Sequence, residues 1–342
     1  MTKRCIALYS GGLDSILVVK LMQEQGVEVV AVSFSTPFFG HDLLTDTQNR
    51  LEFHERTYGI RVQPYDFTQD IIEVVGSPRH GFGKHLNPCI DCKIRMLATA
   101  RGMLEELGAS FVVTGEVLGQ RPMSQRRDAM NLIERESGLK DILLRPLCAQ
   151  HLPPTLPERT GLVNRELLLD MAGRGRKKQM ELAAHFGIDP GNVPSPAGGC
   201  LLADEQVGGK VRLTYDRFRP GLPTQADVML DIAGRKFMLD KDTVLAVSRD
   251  EKENRVLASM IFPGNVFLKI ADAPGPICIV RGTVSPENLK TAAAICLRYG
   301  KGRGAEGHSA VYGPDPSRMT GTLEAPVVSE DFCRRFQIDL GK

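Results

Sequence analysis

Two groups of residues in this sequence have the types and spacing to do chemistry. The first is Ser10-Gly11-Gly12-Leu13-Asp14-Ser15, between an apolar β-rich run and a helical one. Adjacent glycines permit torsions that turn successive N–H groups toward one point, and the helix behind them adds its partial positive end, so the loop suits a phosphate. No Gly-Lys-Ser/Thr follows, which separates the loop from the Walker pattern. A plain strand-to-helix turn with Asp14 or Ser15 as cap is the alternative. The second group is Cys89 and Cys92 in Asn87-Pro88-Cys89-Ile90-Asp91-Cys92, with Cys200 far along the chain behind Gly198-Gly199. At a helix start the two sulfurs lie about one turn apart and can share a metal. Three uses compete. The trio could hold three irons of a [4Fe–4S] cluster and leave the fourth open to sulfide. One cysteine could carry a persulfide that another resolves. His85 could complete a zinc site.

The elements around these groups read as a doubly wound α/β domain. Strands are expected at 5–9, 27–34, 60–66, 111–114 and 142–145, with helices at 14–25, 45–58 and 88–107, and this alternation gives a parallel sheet. Helices are expected again near 165–173 and 176–186. A Gly-rich cationic stretch, Pro78 to His85, suits either a mobile loop over a nucleotide or RNA backbone or a flexible connector. The texture changes near Arg219-Pro220-Gly221. Beyond it short strands are expected at 227–232, 236–239, 244–248, 266–270 and 277–281, with helices near 251–260 and 286–299, a second and smaller α+β domain. The expected domains span 1–210 and 224–335.

Composition narrows the class of partner. The chain has 342 residues, 42% hydrophobic and 25% charged, which is globular and large enough for two domains. A net charge of +2 means that a nucleic acid must be met by local basic patches. No apolar run reaches the roughly 18 to 20 residues of a membrane helix, and the Gly-rich motif starts too early for a secretory leader, so a cytoplasmic protein with no membrane contact is expected. Eight cysteines are too sparse for a disulfide scaffold. Cys5, Cys148, Cys278, Cys296 and Cys333 read as small buried hydrophobes.

At Ser10–Ser15 the sequence resembles the PP-loop ATP pyrophosphatases, whose signature is Ser-Gly-Gly-x-Asp-Ser and whose members adenylate a substrate oxygen and release pyrophosphate. The stretch Thr114-Gly115-Glu116-Val117-Leu118-Gly119-Gln120, with Ser124-Gln125, Asn131-Leu132 and Arg145-Pro146-Leu147, is similar to the tRNA 4-thiouridine synthetase branch. That resemblance covers residues 4–203; no THUMP-type or rhodanese region is evident. Cys-x-x-Cys plus a third distant cysteine is similar to the cluster-dependent tRNA thiolases. Residues 224–335 resemble the RNA-binding domain of the NFACT family, on Asp227-Val228-Met229-Leu230, Gly264-Asn265-Val266-Phe267-Leu268 and Leu297-Arg298-Tyr299-Gly300-Lys301-Gly302.

These resemblances imply an ATP-dependent tRNA sulfurtransferase that adenylates a uridine carbonyl and replaces its oxygen with sulfur, 4-thiouridine being favoured over 2-thiouridine. Ser10, Gly11, Gly12, Asp14, Ser15, Thr114 and Gly115 would bind ATP, Asp14 would orient Mg²⁺ or the base, and Cys89, Cys92 and Cys200 would present sulfur from sulfide or a cysteine desulfurase. Arg121, Arg126, Arg127, Arg174, Arg176, Lys177, Lys178, Arg298, Lys301 and Arg303 suit contacts to tRNA phosphates. The alternatives are a PP-loop ligase or amidotransferase acting on a small molecule, and a non-catalytic RNA-binding factor with a relict ATP site. If the second domain served dimerisation instead of RNA, a homodimer would follow.

Overall fold

The structure is a computed structural model that describes residues 2–41, 46–195, 199–300, 309–326 and 328–338. The chain divides into two compact units, Met1–Ala203 and Asp204–Lys342.

The first unit runs β1 (Arg4–Leu8), α1 (Leu13–Glu24), β2 (Glu28–Ser35), α2 (Thr47–Tyr58), β3 (Val62–Asp66), α3 (Thr68–Gly76), α4 (Cys89–Gly102), β4 (Phe111–Thr114), α5 (Arg127–Glu136), β5 (Leu143–Leu144), α6 (Leu156–Arg159) and α7 (Lys177–His185). Its sheet has the order β3-β2-β1-β4-β5, and every pairing is parallel. β4 is buried along its whole length and β1 over its three middle residues, as parallel strands covered by helices on both faces must be. Pro64 is tolerated because β3 lies at the edge, where a missing N–H breaks no ladder. α1 buries Leu13, Ile16, Leu17, Val18, Val19, Leu21 and Met22, so it is apolar on most of its circumference and lies in the core. Gly26, at φ +69°, closes it. The chain leaves β1 for β2 on one side and returns to β4 on the other. The crevice between the carboxyl ends of β1 and β4 is therefore the topological switch point, where open α/β sheets take their ligands.

The second unit runs α8 (Glu205–Phe218), α9 (Gln225–Met229), β6 (Arg235–Met238), β7 (Val244–Val247), α10 (Glu251–Ala258), β8 (Asn265–Ile270), β9 (Cys278–Arg281), α11 (Pro286–Arg298), β10 (Ser309–Gly313), β11 (Gly321–Glu324) and α12 (Glu330–Arg334). The sheet order is β11-β10-β8-β9-β7-β6, antiparallel throughout. α11 brings Ala292, Ala293 and Cys296 into one core with Leu268, Cys278 and Val280 of the sheet, its small side chains allowing close approach.

Three sequence expectations change. The strand expected at 227–232 is a helix start, because Thr224 and Asp227 form a capping box: the Asp227 carboxylate accepts from the Thr224 N–H at 2.9 Å. The helix expected at 165–173 shrinks to one tight turn at Arg165–Leu167. The Pro78–His85 stretch is fastened, since the Asp91 carboxylate accepts from the N–H groups of Arg79 and His80 at 3.2 and 2.9 Å. No helix among the described residues is long and apolar enough to cross a membrane.

The second unit buries a full ion pair. Lys236 of β6 donates to Thr214 Oγ1 of α8 at 2.7 Å and pairs with Asp231, whose side chain is wholly enclosed. Breaking such a pair strands the surviving charge. Lys236→Met should therefore lower unfolding free energy by about 3–5 kcal/mol in urea titration, and adding Asp231→Leu should recover most of it. A loss under about 1 kcal/mol in the single variant would show that the pair anchors nothing.

Candidate active site

The loop from Ser10 to Ser15 leaves β1 at the switch point. Gly11 takes φ +72°, a left-handed torsion that glycine adopts without strain, and a Cβ there would stand 3.1 Å from His54 Cε1. Ser15 Oγ donates to the Gly12 carbonyl at 2.8 Å, and Gly12 N–H donates to Ser10 Oγ at 3.4 Å. The α1 N-terminus has no side-chain cap from its N-cap residue, so its dipole end is met only by local bonds such as Ser15 N–H to the Gly12 carbonyl at 3.0 Å.

Gly115, just past β4, meets this loop directly: a Cβ on it would lie 2.7 Å from the Asp14 carbonyl carbon and oxygen and 2.9 Å from Ser15 N. Any side chain would drive the two loops apart. Gln120 then reaches back, its Nε2 donating to Asp14 Oδ2 at 3.1 Å. The loop carrying Gln120 is held from the far side, since Gly173 N–H donates to the Leu118 carbonyl at 2.7 Å, which draws the start of α7 toward the crevice. Burial pushes the Asp14 carboxyl above its usual range, against the pull of Gln120, Arg176, Gln179 and Arg121. Gln120 Oε1 has no hydrogen-bond partner among the described residues. A half-desolvated carboxylate beside an orphaned amide oxygen suits a cation or a polar ligand.

The cysteines come together through main-chain bonds. Leu86 N–H donates to the Leu202 carbonyl at 3.1 Å, and Leu201 N–H donates to the Phe38 carbonyl at 2.9 Å. Cys200 is thereby held between the loop after β2 and the entry to α4, which begins at Cys89. Cys92 is buried, while Cys89 and Cys200 are half-buried. Burial pushes the Cys92 thiol well up, and Cys200 and Cys89 add to it, so the three sulfurs share one electrostatic neighbourhood. Burial likewise pushes Cys200 up to about 12. Among the described residues no three His, Cys, Asp or Glu side chains stand at metal-holding positions, so neither a closed cluster set nor the four-ligand zinc set with His85 is preformed. The donors present are nonetheless all thiols, the ligand type of iron–sulfur clusters. The other five cysteines are buried.

The basic residues divide. Arg176 caps α7 and Lys177 and Lys178 begin it with no acid in the first turn, a start that the helix dipole disfavours. Arg174 is exposed, and Arg121 and Arg176 both act on Asp14. Several are engaged within the protein: Arg126 with Asp128 at 2.8 Å, Arg127 with the His151 carbonyl at 2.6 Å, Lys178 with Asp170 at 2.6 Å, Arg176 with the Pro194 carbonyl at 3.2 Å and Lys177 with Glu181 at 3.9 Å. Arg298 pairs with Glu330 at 3.7 Å and is largely covered. Lys301 and Arg303 lie outside the described residues.

The structure adds residues that sequence reasoning passed over. Tyr9 OH and His54 Nδ1 are 2.9 Å apart, and the His54 ring lies beneath Gly11. Lys93 and Glu116 form an ion pair at 3.7 Å. The signals were adjacency alone, Lys93 to Cys92 and Glu116 to Gly115; nothing in α2 marked His54.

The parallel sheet, the switch-point crevice and the glycine loop define a PP-loop-like unit joined to a separate antiparallel-sheet domain. Residues 1–151 match the family model of the thiamine biosynthesis protein ThiI, and residues 234–336 match that of the NFACT protein RNA binding domain. A probable tRNA sulfurtransferase of Thermococcus kodakarensis is 30% identical over 147 residues, 42% of this chain and 36% of that protein. A probable tRNA sulfurtransferase of Methanothermobacter thermautotrophicus is 28% identical over 199 residues, 58% of this chain and 43% of that protein. The chain thus spans less than half the length of either. A solved 4-thiouridine synthetase–RNA complex with bound ATP aligns at 18% identity and a TM-score of 0.34, over 54% of this chain and 51% of that one.

Gly115→Ala tests the contact at the crevice. The methyl group should separate the two loops and weaken ATP binding by at least about ten-fold in equilibrium dialysis, with far-UV circular dichroism unchanged. Undiminished ATP binding would mean that the loop does not depend on this approach.

Proposed function

We propose that the protein is an ATP-dependent tRNA sulfurtransferase. The observation that supports it most is that one unit holds both the Ser10–Ser15 loop and the Cys89, Cys92 and Cys200 thiols, so a group activated at the first can meet sulfur at the second. The carbonyl oxygen of a tRNA uridine attacks the α-phosphate of ATP, forming the O–P bond as the bond to pyrophosphate breaks. Backbone N–H groups of the loop and the uncapped α1 terminus receive the departing charge. Asp14, with Gln120 fixing its Oδ2, is the residue that would hold Mg²⁺ or orient the base. Thr114 and Gly115 complete the nucleotide wall. Sulfide then adds to the activated carbon and AMP leaves with the former carbonyl oxygen.

Cys89, Cys92 and Cys200 are the residues that would hold a [4Fe–4S] cluster, which would supply iron able to bind sulfide. Sulfide itself, or a cysteine desulfurase, is the donor. Arg121, Arg174, Arg176 and Lys177 border the loop or begin α7 and contact tRNA phosphates, assisted by the second unit. The Gly115–Gln120 segment favours 4-thiouridine as product. A small-molecule ligase would leave the three thiols without a task.

Asp14→Asn separates catalysis from binding. It keeps size and hydrogen-bonding capacity and removes the charge, so ATP affinity should stay within a few-fold while tRNA-dependent pyrophosphate release falls about 10²–10³-fold. Loss of ATP binding together with turnover would make Asp14 a structural residue of the loop. The thiols are tested by nucleoside mass spectrometry: Cys89→Ser, Cys92→Ser or Cys200→Ser should each abolish thiolated uridine while some pyrophosphate release persists. An equal effect of Cys148→Ser would remove the special status of the trio. A colourless, zinc-loaded protein after anaerobic iron and sulfide reconstitution would refute the cluster.

A further inference from the structure

Glu116 follows the Gly115 that rests on Asp14, and it is 2% exposed. Its Oε2 accepts from Thr114 Oγ1 at 3.0 Å and from Arg145 Nε at 3.1 Å. Its Oε1 is buried with no hydrogen-bond partner among the described residues, and Lys93 Nζ stands 3.7 Å from it. Arg145 does not serve that second oxygen: its Nη1 donates to Glu134 at 2.7 Å and its Nη2 to the Met130 carbonyl at 3.1 Å. The demand of Glu116 Oε1 therefore falls on Lys93.

Lys93 directly follows Cys92 on α4, and its side chain stays one-quarter exposed. Burial would push the Glu116 carboxyl up, but Lys93 and then Arg145 hold it below the usual range. A buried ion pair has strongly distance-dependent energy, since its charges are poorly screened. Its two ends belong to different parts of the site. One is fixed in sequence to the Cys-x-x-Cys turn, and the other to the glycine in contact with the phosphate loop.

We infer that Lys93 is a positioning residue: its ion pair with Glu116 fixes the Cys89–Cys92 turn relative to the Asp14 loop, so that nucleotide occupancy of the loop is felt at the thiols. The inference rests on the loop binding ATP, as proposed above. It assigns Lys93 no contact with substrate. Its effect is on the relative placement of the two half-sites, and thus on how often an adenylated uridine meets sulfur before it is lost to water.

The labelling uses the full chain without a cluster, with ATP and Mg²⁺ as the added probe, and the thiolation assay uses the same chain reconstituted anaerobically with iron and sulfide. Cys89 is labelled with a maleimide and followed by peptide mass spectrometry. In the wild type, ATP should change the labelling rate about five-fold or more, the lower end of ordinary coupling between sites. Lys93→Met should abolish that dependence, and Lys93→Arg, which restores the cation, should recover most of it. With tRNA and a sulfur source, the yield of thiolated nucleoside per pyrophosphate released should fall about ten-fold in Lys93→Met and recover in Lys93→Arg. ATP binding is measured separately by equilibrium dialysis. A wild type that binds ATP but labels at one rate with and without it overturns the inference alone. A Lys93→Met protein that keeps both the ATP dependence and the stoichiometry overturns it too. A wild type that binds no ATP overturns the loop reading and this inference together.

Discussion

The backbone of Gly115 and the carbonyl of Asp14 occupy space that a single methyl group would overfill, with 2.7 Å left where a Cβ would go. Much of the site depends on that closeness. β1 and β4 are hydrogen-bonded neighbours, so the turns that leave them start side by side, and only the missing side chain lets them remain so. From this contact Gln120 is placed to bond Asp14, and Glu116, one residue on, is drawn beneath the surface.

Both units bury charge, and they do so differently. In the second unit Lys236 and Asp231 are enclosed together, and Lys236 also donates to Thr214, which ties a helix to the sheet edge. In the first, Arg145 spreads its guanidinium over Glu116, Glu134 and a main-chain carbonyl, while one Glu116 oxygen is left to a partly exposed lysine. Each pair leaves one buried carboxylate oxygen without a hydrogen-bond partner among the described residues, Asp231 Oδ2 in the second unit and Glu116 Oε1 in the first. A network with an open end can respond to a change at that end. In the first unit that end faces Lys93, which follows a cysteine.

The glycine turn after β1, the alternation of strand and helix and the parallel-plus-antiparallel fold class were readable because they rest on local rules: glycine torsions, apolar runs and period. The cysteine trio was readable as types and spacing, and its convergence awaited the main-chain bonds of Leu86 and Leu201, which no local rule predicts. His54 was not readable, because a histidine on a helix gives no sign that its ring will lie under Gly11. The 227–232 misreading has a local cause: Val228, Met229 and Leu230 form an apolar run that fits either state, and the Thr224–Asp227 capping box decides it. The basic residues were read by charge alone. Whether a cation faces solvent or folds back onto an acid, as Arg298 does onto Glu330, is decided by tertiary neighbours.

The helix Glu205–Phe218 bears on how this chain could have been assembled by recombination. The stretch that matches the NFACT RNA-binding model begins at residue 234. Yet Thr214 and Lys210 of the preceding helix bond to Lys236 and to the Gly234 carbonyl inside that stretch. A gene fusion that joined the matching segment alone would have left Lys236 short of an acceptor. The unit that folds here, Asp204–Lys342, is therefore longer than the stretch that matches, and its leading helix belongs with it.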